Sequence, residues 1–219
     1  MLKKLVAVIP VRKGSQRVKS KNFRNFNHKN LLEYKIEILK KIKQIDQIII
    51  NTDAAEGIRI AKKYKVDYKL REKYFASSSC TNSEFWSHIA ETTEAKYILF
   101  VDCTNPLVKK NTYIKAIKKF MNCKNINDSL NTVTEVREFL YLNKKPINFN
   151  PNKSPNSQNL PDIVKLNFAI TIISKELMFK KKSLIGNKPL FYKLGEIEGL
   201  DIDTTMDFEF AEYLHKKLF

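Results

Sequence analysis

Acidic side chains are scarce in this chain: 23 aspartates and glutamates stand against 40 lysines and arginines, a formal net charge of +17 over 219 residues. Glycine is scarce too, with five residues, and so are cysteine (three), histidine (three) and tryptophan (one). Each shortage excludes something. Cys80, Cys103 and Cys123 form no C-x-x-C pair, which excludes a zinc ribbon and a disulfide framework and fits reduced thiols. His28, His88 and His215 lack ligand spacing. With one glycine in its most basic loop, the chain carries neither a Walker loop nor a G-x-G-x-x-G turn. No apolar run approaches the roughly 20 residues needed to cross a bilayer. The short run Leu5–Val11 ends in Arg12-Lys13-Gly14-Ser15 with no small-residue cleavage signal, so it reads as a first strand, not a leader. A cytoplasmic protein with no membrane attachment is expected.

The positive charge invites a nucleic-acid reading, but its distribution argues against one. Lysine far outnumbers arginine and is scattered over expected helix faces: Lys35, Lys40, Lys41 and Lys43, then Lys62, Lys63 and Lys65, then Lys115, Lys118 and Lys119, then Lys180 to Lys182. No nucleic-acid-binding module accompanies it. Scattered lysine reads as solvated surface, with a phosphate-rich small ligand adding to the total.

Hydrophobic residues make up 43% and charged residues 29% of the chain, ordinary values for a folded domain, and the length suits one domain spanning 1–219. Leu5-Val6-Ala7-Val8-Ile9 is a continuous β-branched run, as expected for a strand buried on both faces. Leu31, Leu32, Ile38, Leu39 and Ile42 recur at helical spacing over about 30–43. Strands at 47–51 and 97–101 alternate with helices at about 54–64, from Thr81 onward, and at about 112–121. That alternation predicts an α/β domain with a mostly parallel sheet and right-handed crossovers. Regularity stops near Asn131. Residues 131–165 carry Pro146, Pro151, Pro155 and Pro161 and read as a loop or projecting arm. A strand at 168–173 and a helix at about 206–218 close the chain.

Two segments carry chemistry. The first, Arg12 to Asn22, leaves the carboxyl end of the first strand, where open α/β sheets place their ligands. Gly14 permits a tight path, adjacent N–H groups can form an anion nest, and Arg12, Arg17, Lys19 and Lys21 bring four cations to one loop. On residues alone, this is equally a phosphate cradle or a basic surface loop. In the second segment, Asp201 and Asp203 alternate along an extended stretch. Both carboxylates therefore face one side, as a Mg²⁺ shared with substrate phosphates requires. Asp203-Thr204 could instead simply cap the last helix. Asp53 divides evenly between touching a ligand and shaping its loop.

The order of these residues resembles the R-x-G-S-x-x-x-x-x-K-N and D-I-D-T-x-x-D signatures of the cytidylyltransferases that make CMP-activated nonulosonic acids, meaning the sialic, pseudaminic and legionaminic acid enzymes. Asn51-Thr52-Asp53, Leu70-Arg71, Thr104-x-Pro106-Leu107, Gln158-Asn159-Leu160-Pro161 and Asn167-x-Ala169-Ile170 are similar to further family motifs at matching spacing. The resemblance implies a Rossmann-like, three-layer nucleotidyltransferase fold. It also implies an in-line attack by a sugar hydroxyl on the α-phosphorus of CTP, with loss of pyrophosphate. Arg12 and Lys21 would hold the triphosphate as catalytic cations. Gly14, Ser15, Asn22, Arg71 and Asn82 would bind nucleotide, and Asp102, Thr104, Gln158 and Asn167 would bind a small acidic acceptor. Asp201 and Asp203 would hold Mg²⁺. The arm at 131–165 would pair two subunits into a homodimer serving surface-glycan synthesis.

The chain departs from the family on the acceptor side. Asp102 stands for a glutamine, Val108 for an arginine, Ser157 for an arginine and Phe168 for a glycine. The alternatives are therefore a cytidylyltransferase with another acceptor (a Kdo-like sugar or an aminoalkylphosphonate), a homologue that binds nucleotide without turnover, or a non-catalytic polyanion-binding protein.

Overall fold

A computed structural model of the chain describes residues 3–14 and 17–219; Ser15, one of the expected nucleotide-binding residues, lies outside them. In chain order the elements are β1 (Lys3–Val11), β2 (Asn25–Phe26), β3 (Lys29–Asn30), α1 (Leu31–Lys40), β4 (Gln47–Thr52), α2 (Ala55–Tyr64), β5 (Asp67–Leu70) and α3 (Lys73–Ala76). They continue with α4 (Asn82–Thr92), β6 (Ala95–Phe100), α5 (Lys110–Cys123), β7 (Ser129–Val136), β8 (Tyr141–Leu142), β9 (Lys145–Pro146), β10 (Ile163–Ser174), α6 (Lys175–Lys181), β11 (Pro189–Lys193) and α7 (Thr205–Leu218).

Seven strands form one sheet in the order β11-β7-β10-β6-β1-β4-β5. Only β10 runs against the rest, antiparallel to both β6 and β7. The sheet separates two cores because successive side chains of a strand face opposite ways. In β1, Leu5, Ala7, Ile9 and Val11 enter one core with residues of α1, α5 and α7, while Val6 and Val8 enter the other with residues of α4 and α6. This is why the first strand reads as an unbroken apolar run. The three-layer α/β expectation is met.

The expected arm is shorter than 131–165. Residues 131–136 belong to β7 and 163–165 to β10, both in the central sheet, so the segment outside the sheet is 137–162, with the small β8–β9 hairpin at its start. Asparagine and threonine in β7 masked the strand. Ser129, Asn131 and Thr132 are buried, and they satisfy their side chains on Gly186, Leu184 and Ile170.

One lysine departs from the surface reading. Lys35 is 1% exposed, its ammonium donating to the Asn105 carbonyl and the Tyr113 hydroxyl, each at 2.8 Å.

Candidate active site

In the sheet, β1 lies between β4 and β6, so the chain leaves β1 toward β4 on one side and returns as β6 on the other. Loops diverge at such a switch point and leave a crevice at the strands' carboxyl ends. A cavity of about 650 Å³ opens there, lined by Arg12, Arg17, Lys21 and Asn22 from the loop after β1, Arg71 after β5, Asn82 at the start of α4, Asp102 and Thr104 after β6, and Asp201 and Asp203 before α7.

The basic loop and the distant carboxylates meet. The Lys21 ammonium donates to the Ile202 carbonyl and lies 4.0 Å from Asp203 Oδ1. Arg17 reaches the same oxygen at 2.7 Å. The contact spans more than 180 residues and is set by local rules. Ile202 is fully buried and its N–H donates to the Thr104 carbonyl at 2.9 Å, which pins the strand-like stretch with Asp201 and Asp203 facing the cavity. Thr204 is the N-cap of α7, and Asp207 accepts from the backbone N–H groups of Asp203 and Thr204 at 3.0 and 2.7 Å. The two readings of this segment therefore coexist: Thr204 and Asp207 cap the helix, leaving the Asp203 carboxylate in the cavity.

Burial sets the charge states. Asp102, open only toward the cavity, has its pKa pushed up to about 7, chiefly by burial and then by the neighbouring Asp201, against the pull of Lys35, Lys21 and Arg71. Asp201 is raised in the same direction, first by burial and also by Asp203, with Thr104 opposing. Lys35 is lowered to about 8 by burial, and Cys103, Asp102 and Asp201 work against that shift. Three acids thus crowd one wall, with a buried ammonium close enough to act on two of them. Below its ordinary pKa the Asp102 penalty is absent; it grows as pH rises from about 4 and is complete above about 7. Asp102→Asn should therefore stabilise the protein by about 1–2 kcal/mol at pH 8, allowing for solvent in the cavity, and by almost nothing at pH 4. Urea titrations at the two pH values check this.

Other expected residues are placed as follows. Asn22 is buried, lines the cavity and leaves its Oδ1 without a partner. Arg71 lines it too, but donates to Asn51 twice, at 2.6 and 3.0 Å, and stacks over Phe85 at 4.2 Å. Its placement is thus fixed before any ligand arrives. Gly14 has no left-handed backbone, and a Cβ there would meet nothing within 4 Å, so the turn itself does not demand glycine. Asp53 shapes the loop, accepting from the Lys13 N–H at 2.9 Å.

Two expected acceptor residues are not brought to the cavity. Gln158 sits exposed in a short 3₁₀ turn of the arm. Asn167 is buried, donating to Thr134 at 2.8 Å and accepting from the Ala169 N–H at 3.2 Å. Sequence reasoning missed Lys35 and Trp86, and marked Phe168 only as an acceptor-side departure from a family glycine. Lysine in an amphipathic helix normally signals surface, and Trp86 carried no motif.

Known proteins bear directly on this geometry. The family model described as "Cytidylyltransferase" matches residues 6–218. The chain belongs to the cytidylyltransferase family. Membership makes it a CTP-dependent nucleotidyltransferase. Among relatives, the post-translational flagellin modification protein B of Campylobacter coli is 27% identical, over 99% of this chain and 97% of that one. The N-acylneuraminate cytidylyltransferase of Escherichia coli O18:K1:H7 is 26% identical over 99% of this chain, which spans 53% of that longer protein. A CMP:2-keto-3-deoxy-manno-octonic acid synthetase solved with CTP shares the fold at a TM-score of 0.75 and 12% identity, covering 99% of this chain and 100% of that one. The alternative of a non-catalytic polyanion binder is not favoured by these findings. Among the described residues, no helix is long and apolar enough to cross a membrane.

Proposed function

We propose that this family member transfers CMP from CTP to an acidic nine-carbon sugar of the nonulosonic type, releasing pyrophosphate. The observation that carries the reading is the convergence of Lys21 with Asp203 at 4.0 Å, beside Arg12, Arg17 and Asp201, in one cavity. Cations there can hold a triphosphate and offset the charge that builds on the departing pyrophosphate. Arg12 and Lys21 are the groups for that role. Asn22, Arg71 and Asn82 line the portion left for base and ribose.

Asp201 and Asp203 fit Mg²⁺. Their carboxylates are hard oxygen donors on one face, and Asp201 Oδ1 is buried with no hydrogen-bond partner, an arrangement that a cation would relieve. When bound, Mg²⁺ supplies charge neutralisation and lowers the pKa of a nearby sugar hydroxyl. The chain's own contribution is to orient these acids through Ile202 and Thr204. The acceptor assignment draws on the family signatures and on the N-acylneuraminate relative. Homodimer formation through the arm draws on the exposed Tyr141, Leu142 and Ile147 of its hairpin region. A cytoplasmic location suits the nucleotide substrate.

Isothermal titration of CTP, ATP and GTP, with and without Mg²⁺, tests the nucleotide half. CTP should bind at least tenfold more tightly than either purine nucleotide, and chelation should weaken it by a further factor of about ten. Equal affinity for all three would remove the reading.

A further inference from the structure

The cavity has a second wall that the nucleotide chemistry leaves unused. Across the sheet, Arg71 follows the edge strand β5, the triphosphate cations follow β1, Asp102 follows β6, and Phe168 lies on β10, the next strand beyond. Arg71 and the phosphate cations therefore lie on one side and the β10 wall on the other; α4 spans both, with Asn82 in its first turn and Trp86 one turn later beside Phe168, and the wall on β10 is left for the acceptor. It is apolar, formed by Phe168, Trp86, Leu184 and Phe100.

Phe168 has an unusual backbone. Its φ is +53°, in the left-handed region, within the irregularity of β10 between Leu166 and Thr171. A bulky residue there costs about 1–2 kcal/mol relative to glycine. Such a conformation persists where its surroundings over-determine it. Here Asn167 fastens the bulge from beneath through Thr134 and the Ala169 N–H. The strained turn presents the Phe168 ring toward Trp86, the ring centroids 6.4 Å apart at 36°.

Resting on the acceptor class proposed above, we infer that Phe168 and Trp86 form an apolar seat for the far end of the sugar. The seat selects acids whose tail ends in methyl and N-acyl groups over those whose tail is a hydroxylated chain. Acids of this class share the carboxylate and the reacting hydroxyl, and two of them with the same configuration differ only at C7 and C9 of the tail. Against two aromatic rings a methyl group gains by burial, at about 0.8 kcal/mol per carbon. A hydroxyl buried there without a partner loses about 1–3 kcal/mol. Together these correspond to a selectivity of about 20- to 600-fold in kcat/KM.

The test uses the full chain with CTP and Mg²⁺, following pyrophosphate release with two acceptors. N,N'-diacetyllegionaminic acid has a methyl-terminated, N-acylated tail; N-acetylneuraminic acid, of the same configuration, has a trihydroxylated one. The wild-type chain should prefer the first by at least about tenfold. Phe168→Gly should bring the ratio within about threefold and raise the KM for N,N'-diacetyllegionaminic acid, with the KM for CTP moving less than twofold. Because glycine is at ease at that φ, its melting temperature should hold or rise. Trp86→Leu should narrow the ratio in the same direction. A wild-type ratio near one, or a ratio that Phe168→Gly leaves unchanged, overturns the seat while leaving the cytidylyltransferase reading in place. Absence of turnover with both acids overturns the nonulosonic acceptor and the seat with it.

Discussion

Alanine at Lys21 or at Asp203 should lower kcat/KM for pyrophosphate release from CTP by about 10³-fold, with little change in melting temperature. The Lys21 ammonium is largely enclosed, held between the Ile202 carbonyl and Asp203. It is therefore placed in advance where a triphosphate would need it, and such fixed charge acts most strongly on the transition state. Losing it removes one hydrogen bond from the resting protein, worth about 1 kcal/mol. The Asp203 side chain is 45% exposed, and its ion pair with Arg17 at 2.7 Å is of the kind that contributes less than about 1 kcal/mol. Stability and turnover should thus separate cleanly. Lys21→Arg should recover part of the activity, since the charge returns but on a longer, planar head. Single-turnover kinetics alongside calorimetry checks both halves. Wild-type-like turnover in either alanine variant would discard the mechanism.

The sequence made the nucleotide half of this site more legible than the acceptor half, for physical reasons. A phosphate cradle is built from one contiguous loop, so the family resemblance could mark Arg12, Lys21 and Asn22 where the residues alone left a cradle and a surface loop equal, and all three line the cavity. Alternation in Asp201-Ile202-Asp203 is likewise a local property, and the buried Ile202 keeps both acids turned inward. The acceptor wall is assembled from α4, β6, β10 and the loop carrying Leu184, each contributing one or two side chains. Nothing local distinguishes a lining aromatic such as Trp86 from a core one. Gln158 and Asn167 stood at family motif positions, yet the fold turns one to solvent and ties the other into the β10 bulge. The strand β7 was obscured for a related reason: its polar side chains are satisfied by partners distant in sequence. Two helix starts were visible because capping is local, and Thr81 and Thr204 both form capping boxes.

Lys35 was hidden by its own helix, and it leads to the second large effect. Lys35→Met should destabilise the protein by about 2–3 kcal/mol at pH 8 and by less than about 1 kcal/mol at pH 6. Its ammonium donates to Asn105 and Tyr113, fixing the loop that carries Asp102 and Thr104, and it is the buried cation that opposes the rise in the Asp102 pKa. At pH 6 Asp102 holds its proton, so little negative charge is left uncompensated. The folded protein meanwhile bears the full penalty of a buried ammonium, which methionine relieves. As pH rises through about 7 the Asp102 proton leaves, and around pH 8 the lysine loses its own. Each step makes removal of the lysine more damaging, so the two shifts work in one direction. Combining Lys35→Met with Asp102→Asn removes the stranded carboxylate as well and should restore most of the loss at pH 8. The coupling read from that double-mutant cycle should therefore be large at pH 8 and small at pH 6. A coupling that does not change with pH would mean that Lys35 acts only as packing, through its two neutral hydrogen bonds, and not as the counter-charge beneath the acids.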